Sequence, residues 1–220
     1  DFQFGVILDH ADALLAGAWL TVRLSAGAMV LGLLVAIAGA LGKTWAPRPV
    51  RWLVSAYVEV IRNTPFLVQI FLFFFGLPSI GLRLGPNEAA LLAMVVNVGA
   101  YATEILRAGI ESIHKGQIEA GLALGLKRLQ VFRYVILKPA LRTVYPALTS
   151  QFILLMLGSS VVSAISAEEL TSVANNIQSQ TFRAFEVYIV VTVMYLGLAL
   201  AFSGVFAAIH RVAFAYADRR

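Results

Sequence analysis

Residues 101–142 form the longest polar stretch of this chain, and their charges and glycines are its most distinctive pattern. Glu119 is the last acid in the stretch, and basic residues crowd around it: Lys115, Lys127, Arg128, Arg133, Lys138 and Arg142. These side chains can make charged contacts with a partner protein. They can equally belong to a solvated loop that carries a chance run of cations, and composition alone leaves both interpretations open.

The periodicity of this stretch predicts two short helices. Apolar residues recur at helical spacing in its middle: Ile118, Leu122 and Leu126. We therefore expect a helix over about 117–124, with Gly121 and Gly125 four residues apart on one side, where a partner surface can approach the backbone closely. We expect Gly125 to end this helix in a left-handed conformation. A second helix should start by residue 129, and Pro139 should kink or end it.

Residues that could carry out catalysis are scarce. The chain has three histidines and no cysteine, and His10, His114 and His210 all fall near loops or membrane surfaces, away from the depth that a serine–histidine pair would need. No phosphate-binding G-x-x-x-x-G-K-[ST] loop occurs, so ATP hydrolysis by that mechanism is excluded. We expect no metal site and no cofactor on this chain. Energy for any driven process must come from another polypeptide.

Composition indicates a membrane protein. The sequence is 60% hydrophobic and 13% charged, with a mean hydropathy of +0.82, whereas soluble domains carry about 25% charged residues. The net charge of +5 does not indicate nucleic-acid binding, because the basic residues cluster between apolar segments, where cytoplasmic membrane loops keep them. No cleavable signal is expected, since acids precede the first apolar run. We predict one all-α integral membrane domain over residues 1–220.

Five apolar segments predict a five-span helical bundle. Their approximate ranges are 13–41, 52–77, 88–107, 144–165 and 187–209. Because a proline disfavours helix at the residue before it, a break is expected near Thr64. The second segment is then either one kinked span or an interfacial helix to Arg62 followed by a short span over 65–77. The linker 166–186 is too charged to lie in lipid.

The distribution of cations predicts the orientation. With the N-terminus outside, most of the 17 basic residues lie on the inner side. They are Lys43, Arg48, Arg51, Arg107, the six of the polar stretch, Arg211, Arg219 and Arg220. The loop of about 111–142 and the C-terminus are then cytoplasmic.

Within that loop, one spacing resembles the EAA coupling loop of ABC-importer permeases: Glu119-Ala120-Gly121, Gly125, Val135 and Leu137. The third position is Gly121 where the family has alanine, and Lys138 separates Leu137 from Pro139. Further runs resemble the polar amino-acid permeases: 58–65 (VEVIRNTP), 67–69, 75–78, 101–110, 115–117, 123–125, 140–142 and 169–171. The resemblance covers about residues 10–215.

The resemblance implies a fold and partners. It implies the type I importer permease fold in a bacterial inner membrane, with two permease subunits, two ATPase subunits that bind ATP and Mg²⁺ inside, and an amino-acid-binding protein outside. Residues expected to couple to the ATPase are Glu119, Ala120, Gly121, Gly125, Lys127 and Arg128. The function implied is an ATP-driven amino-acid importer. The alternative is a secondary amino-acid carrier that acts alone.

Four residues are candidates for the substrate path: Asn97, Ser159, Ser160 and Glu169. Asn97 can instead join two helices, and the serines can bond their own helix backbone. Glu169 can neutralise an α-ammonium at the outer mouth or dock the binding protein, and Glu168 adds a second carboxylate there. Where the family has Lys-Asp-Thr-Ser-Leu, residues 157–161 are Leu-Gly-Ser-Ser-Val. This loss of both charges favours a heterodimer, or else a different amino acid.

Overall fold

The computed structural model describes residues 2–215, which are almost entirely helical and contain no strand. The elements in order are α1 Phe4–Leu8, α2 Ala11–Trp45, α3 Arg48–Arg62, α4 Phe66–Phe71, a π turn Leu72–Gly76, a 3-10 turn Leu77–Ile80, α5 Pro86–Glu111, α6 Lys115–Ala123, α7 Arg128–Val131, a π turn Phe132–Leu137, α8 Lys138–Gly158, a 3-10 turn Ser159–Ile165, α9 Leu170–Thr181 and α10 Ala184–Phe214. Arg219 and Arg220, used in the orientation argument, lie outside the described residues.

Four helical segments are long and apolar enough to cross a bilayer: Ala11–Trp45, Pro86–Glu111, Arg128–Ile165 and Ala184–Phe214. A fifth candidate is the broken pair Arg48–Arg62 and Phe66–Ile80, whose two parts meet at 110°. A bend of this size is compatible with both predicted alternatives, one bent span and an interfacial helix followed by a short span. The break lies where Pro65 predicts it.

The packing of α2 against α5 shows that the broken pair completes a crossing. Small residues let the two helices approach closely. Residue numbers rise together in α2 and α5 along the line of contact: Gly27 meets Leu91, Gly32 meets Val98 and Gly39 meets Thr103. The two helices are therefore parallel. Because α2 ends at one end of the bundle and α5 begins at the other, residues 46–85 must return across it. The bundle thus has five crossings.

The fourth span differs from the prediction. Helix continues from Arg128 to Ile165, so Pro139 does not end it, and the helical segment starts well before residue 144. A proline lacks the N–H that an α-helix needs. The π turn Phe132–Leu137 immediately precedes this position and changes the local hydrogen-bond spacing.

The two ends of the described chain lie at opposite ends of the bundle. Near the start, the N–H of Gln3 lies 3.3 Å from Oε1 of Glu186, in the first turn of α10. At the other end, the hydroxyl of Tyr145 donates to the carbonyl of Phe206 at 2.5 Å. Part of the 166–186 linker is the helix α9, which buries Leu170, Ala174 and Ile177.

Candidate functional site

The predicted loop helix exists as α6, and it follows α5 after only three residues. His114 caps it, because its Nδ1 accepts a hydrogen bond from the N–H of Gly116 at 3.1 Å. The helix begins at Lys115, two residues earlier than expected, so Glu119 occupies its fifth position. The favourable effect of the helix dipole on a carboxylate is confined to the first turn. A capping role therefore does not explain Glu119.

The C-terminus of α6 has the predicted glycine geometry. Gly125 has a φ of +84°, a conformation that costs other residues strain. The N–H of Leu126 donates to the carbonyl of Gly121 at 3.1 Å, and the N–H of Gly125 donates to that of Leu122 at 3.0 Å. These two bonds form a Schellman motif. The prediction of a left-handed end at Gly125 is confirmed.

Gly121 lies on the face of α6 that packs inward. It is buried, and a Cβ built on it would lie 3.3 Å from Cγ2 of Val131 and 3.4 Å from Cγ2 of Val135. The glycine that replaces alanine here therefore faces the helical segment that follows. The opposite side of α6 is left open to solvent.

Charged and apolar side chains project from the outer side of this loop. Glu119, Lys127 and Arg128 are exposed, and their side chains form no ion pair or hydrogen bond with any of residues 2–215. The exposed fractions of Leu124 and Leu129 are 83% and 76%. A surface that combines protruding apolar side chains with unpaired charges is suited to binding another protein.

Ion pairs join α2 to α5 near the C-terminal ends of the two helices, close to where α5 continues into this loop. Lys43 on α2 pairs with Glu104 on α5. Arg107 holds the same carboxylate with Nη2 at 2.9 Å and Nε at 3.0 Å, and it also pairs with Glu111. The side chains of Lys43 and Glu104 are only 19% and 16% exposed. These pairs therefore hold the ends of α2 and α5 together near the point where the chain continues into α6.

Asn97 joins helices, as one of its two interpretations predicted. Its Nδ2 donates to Oε1 of Gln69 at 3.0 Å. The Nε2 of Gln69 lies 2.8 Å from the carbonyl of Ile61 and 3.1 Å from that of Thr64, which are left without helical partners by the break before Pro65. Gln69 was not among the predicted site residues, and its position four residues after a helix-breaking proline was the available signal.

The two candidate serines lie on the 3-10 turn Ser159–Ile165. Ser159 is buried, and its Oγ donates to the carbonyl of Met156 at 2.6 Å. This is the backbone bond that one interpretation predicted. Ser160 is half-buried, and its carbonyl accepts from the hydroxyl of Ser163 at 2.8 Å.

Glu169 is completely buried in the described chain. Its Oε1 accepts from the N–H of Ser172 at 3.0 Å and so caps α9, while Oε2 accepts from the hydroxyl of Tyr195 at 2.6 Å and lies 3.3 Å from that of Thr21. Burial raises the pKa of the Glu169 carboxyl, and these hydrogen bonds lower it in part. Its carboxylate thus joins α2, α9 and α10.

The neighbouring acid, Glu168, has a different environment. It is exposed and lines a cavity of about 890 Å³ between α2, the start of α5 and α9, together with Arg23. Of the two adjacent carboxylates, Glu168 is therefore the one that a ligand in this cavity can contact. Arg23, an arginine within an apolar span, was not among the predicted site residues.

Known proteins resemble the chain over nearly its whole length. Residues 28–213 match the family model of the binding-protein-dependent transport system inner membrane component. The glutamine transport system permease protein GlnP of Escherichia coli (strain K12) is 39% identical over 208 residues, 92% of this chain and 93% of that protein. The probable glutamine ABC transporter permease protein GlnM of Bacillus subtilis (strain 168) is 36% identical over 202 residues, 90% of this chain and 92% of its own.

Solved structures agree with this relationship. A crystal structure of an amino acid ABC transporter with histidines superposes with a TM-score of 0.87 at 35% identity, covering 96% of this chain and 99% of the other. The MetNI methionine ABC transporter in an inward-facing conformation superposes with a TM-score of 0.78, over 93% of this chain and 98% of the other. At 22% identity this likeness shows the fold alone. The parallel α2 and α5, the broken second span and the loop helix α6 thus belong to an established architecture: the chain is a member of the family of inner membrane components of binding-protein-dependent transport systems.

Proposed function

We propose that this chain is the transmembrane subunit of an ATP-driven amino-acid importer. It forms part of the translocation path and transmits the motion of an ATPase through α6. The observation that carries this proposal is the position of Glu119. It projects, unpaired within residues 2–215, from a short helix that follows α5 directly. The likeness to amino-acid permeases supports the substrate class.

In this proposal the residues of the loop have different roles. Gly121 seats α6 against the following helix, and Gly125 turns the chain. Glu119, Ala120, Lys127 and Arg128 then meet the ATPase, which binds ATP and Mg²⁺. Closure of the ATPase dimer moves α6, and the Lys43–Glu104–Arg107 ion pairs carry that motion into α2 and α5. Such a contact does work only if it differs in free energy between two states.

The whole chain acts as one permease domain of the bacterial inner membrane. Its N-terminus is outside, and the α6 loop and C-terminus are cytoplasmic, as the basic residues favour. Two permease subunits line the path, and the uncharged 157–161 segment favours two different ones. Asn97, Ser159, Ser160 and Glu169 border or support the path, with Glu168 exposed at its outer end. An external amino-acid-binding protein delivers substrate.

The alternative, a carrier that acts alone, has no observation in its favour. Within residues 2–215, the exposed surface of the loop indicates a partner, and the family is one of transport-system components. A stand-alone carrier would give no reason for a capped helix with unpaired charges.

Affinity purification of the tagged protein in mild detergent, with identification of every co-purifying chain, tests this function. We expect an ATPase and a second, different permease. An ATPase without a second permease would leave the importer intact and replace the heterodimer by a homodimer. Recovery of this chain alone, still able to transport amino acids after reconstitution, would overturn the proposal.

A further inference from the structure

The cavity of about 890 Å³ between α2, the start of α5 and α9 is a cleft between helices of opposite direction. Gly17 on α2 packs against Val173 on α9, and Thr21, one turn further along α2, contacts Glu169 just before α9 begins. Each level along α2 therefore faces a definite level of α9. The lining residues of α2 form one stripe at helical spacing: Ala13, Ala16, Leu20 and Arg23.

Arg23 and Glu168 lie at the same end of this cleft. The hydroxyl of Thr21 lies 3.3 Å from Oε2 of Glu169, which fixes the level at which α2 meets the start of α9. Arg23 follows Thr21 by two residues, about 3 Å along the helix axis, and Glu168 directly precedes Glu169. A cation and an anion thus line one end of the cleft.

Both charges are available to a ligand. Arg23 and Glu168 are exposed in the cleft, and neither side chain forms an ion pair or a hydrogen bond with any of residues 2–215. The other acid in the lining, Glu88, accepts a hydrogen bond from the N–H of Gly85 at 3.0 Å and so caps α5. The cleft therefore presents opposite charges that do not neutralise each other.

The remaining lining residues are arranged by polarity along the cleft. Leu20, Val173 and Ile177 make its middle apolar. At the end away from the charges, His10 precedes α2, and Gln180 lies in the last turn of α9. A small molecule with both charges at one end, an aliphatic stem and a polar tip therefore matches the cleft.

We propose that this cleft binds one free α-amino acid in its zwitterionic form. The carboxylate binds the guanidinium of Arg23, whose N–H groups match it in pairs, and the ammonium group binds Glu168. The first turn of α5 is level with Arg23, because Gly27 meets Leu91 in the parallel packing, and its dipole also favours the carboxylate. The choice of an amino acid, rather than another molecule with these charges, rests on the proposed function.

The site is separate from the residues already assigned to the substrate path. Asn97, Ser159 and the buried Glu169 do not line the cleft. It lies at the end of the bundle opposite α6, where the proposed function has the substrate arrive. Arg23 and Glu168 would therefore bind the amino acid before it reaches those residues.

Saturation-transfer NMR of the membrane assembly, washed free of soluble binding protein, tests the site. A phosphatidylethanolamine headgroup carries the same two kinds of charge, so the nanodiscs contain phosphatidylglycerol alone. The probe is an equimolar mixture of the protein amino acids, and we expect signals from at least one of them. The amino acid with the strongest signal is then titrated beside its two analogues, one without the carboxylate and one without the amino group.

Arg23→Gln should weaken binding of the amino acid about tenfold and leave the analogue without a carboxylate unaffected. Glu168→Gln should do the same for the analogue without an amino group. The controls are Arg83→Gln and Asp9→Asn, exposed charges near the same end of the bundle but outside the cleft, which should bind as the original does. Because neither Arg23 nor Glu168 has a side-chain partner among residues 2–215, all four variants should unfold at the original temperature.

Three results would overturn the site. They are the absence of any amino-acid signal, binding that the Arg23→Gln/Glu168→Gln double variant leaves unchanged, and a signal abolished when phosphatidylethanolamine replaces half of the lipid, which would assign the cleft to a lipid headgroup. The proposed function fails separately. ATP-driven uptake without this binding keeps the importer and removes the site, whereas binding by a chain that transports without an ATPase keeps the site and removes the importer.

Discussion

Lys43 on α2 and Glu104 on α5 form an ion pair at the end of the bundle from which α6 emerges. Arg107, also on α5, binds the other oxygen of the same carboxylate, so Glu104 holds one cation from each helix. Because α2 and α5 are parallel and packed through glycines, the pair fixes their register at this end of the bundle.

Glu104→Gln should therefore lower the free energy of unfolding by about 1–3 kcal/mol, because it leaves the partly buried Lys43 without a counter-charge and leaves Arg107 with Glu111 alone. Thermal unfolding of the purified protein measures this. Glu111→Gln is the matched control. Its side chain is 55% exposed, and we expect less than about 1 kcal/mol. Equal losses in the two variants would show that burial of the Glu104 pair contributes nothing.

Gly125→Ala should cost about 1–2 kcal/mol, because the residue has a φ of +84°. No atom lies within 4 Å of a Cβ built there, so any loss reflects backbone strain alone. Gly204→Ala is the control, since Gly204 is in the interior of α10 with equally open space; it should be neutral or stabilising. We expect Gly125→Ala also to lower transport by displacing α6, and full transport with normal stability would contradict that.

Gly32→Ala should destabilise the bundle by about 1–3 kcal/mol through overpacking. A Cβ there would lie 2.2 Å from Cγ1 of the buried Val98. The double variant Gly32→Ala/Val98→Ala should recover part of the loss, and a double-mutant cycle of unfolding free energies measures the coupling. Gly27→Ala, whose Cβ would meet Leu91 at an ordinary 3.4 Å, should cost little. Additive effects at positions 32 and 98 would argue against the parallel contact.

Glu169→Ala should lower the free energy of unfolding by about 2–4 kcal/mol, since it removes the cap of α9 and the carboxylate that accepts from the Tyr195 hydroxyl, which then has Thr171 as its remaining side-chain partner. Glu169→Gln keeps the shape and should cost less. Measuring stability and transport together separates two roles. A structural carboxylate loses both in proportion, whereas loss of transport at unchanged stability in Glu169→Gln would establish substrate contact.

The stability difference between the original protein and Glu169→Gln should also depend on pH. Because burial raises the pKa of Glu169 in the folded state, the folded protein binds this proton more tightly than the unfolded chain. The carboxyl's contribution is therefore greatest below the usual glutamate pKa of about 4.3 and falls as the pH rises through the raised value. Unfolding at several pH values checks this, and a pH-independent difference would contradict it.

The sequence could predict the features that depend on local chemistry. The break before Pro65 and the left-handed Gly125 follow from the backbone restrictions of proline and glycine, and both are found in the structure. Pro139 is a position that residue types alone did not decide, because the helical segment continues through it to Ile165. Its effect on the helix depends on the hydrogen-bond spacing of the preceding turn, and the π turn there is not visible in residue types.

The side-chain partners across the bundle could not be predicted from the sequence, because they depend on how the helices pack and residue types do not show that. Glu168 and Glu169 are adjacent and identical in type, yet one is exposed and the other is buried. Only the packing of α9 between α2 and α10 distinguishes them. Gln69 likewise gains its role from the carbonyl groups that the Pro65 break leaves free, eight and five residues earlier in the chain.

The most direct test of the central claim is uptake by proteoliposomes that contain the co-purified assembly, with ATP enclosed on the α6 side. Glu119→Lys should leave the amount of assembled protein and its folding unchanged, while ATP-driven uptake falls to background. Gln117→Lys places the same side chain on the opposite side of α6, with a charge change of one unit where Glu119→Lys changes two, and should transport normally. Uptake without ATP, or full ATP-driven uptake by Glu119→Lys, would contradict a role for this helix as the link to an ATPase.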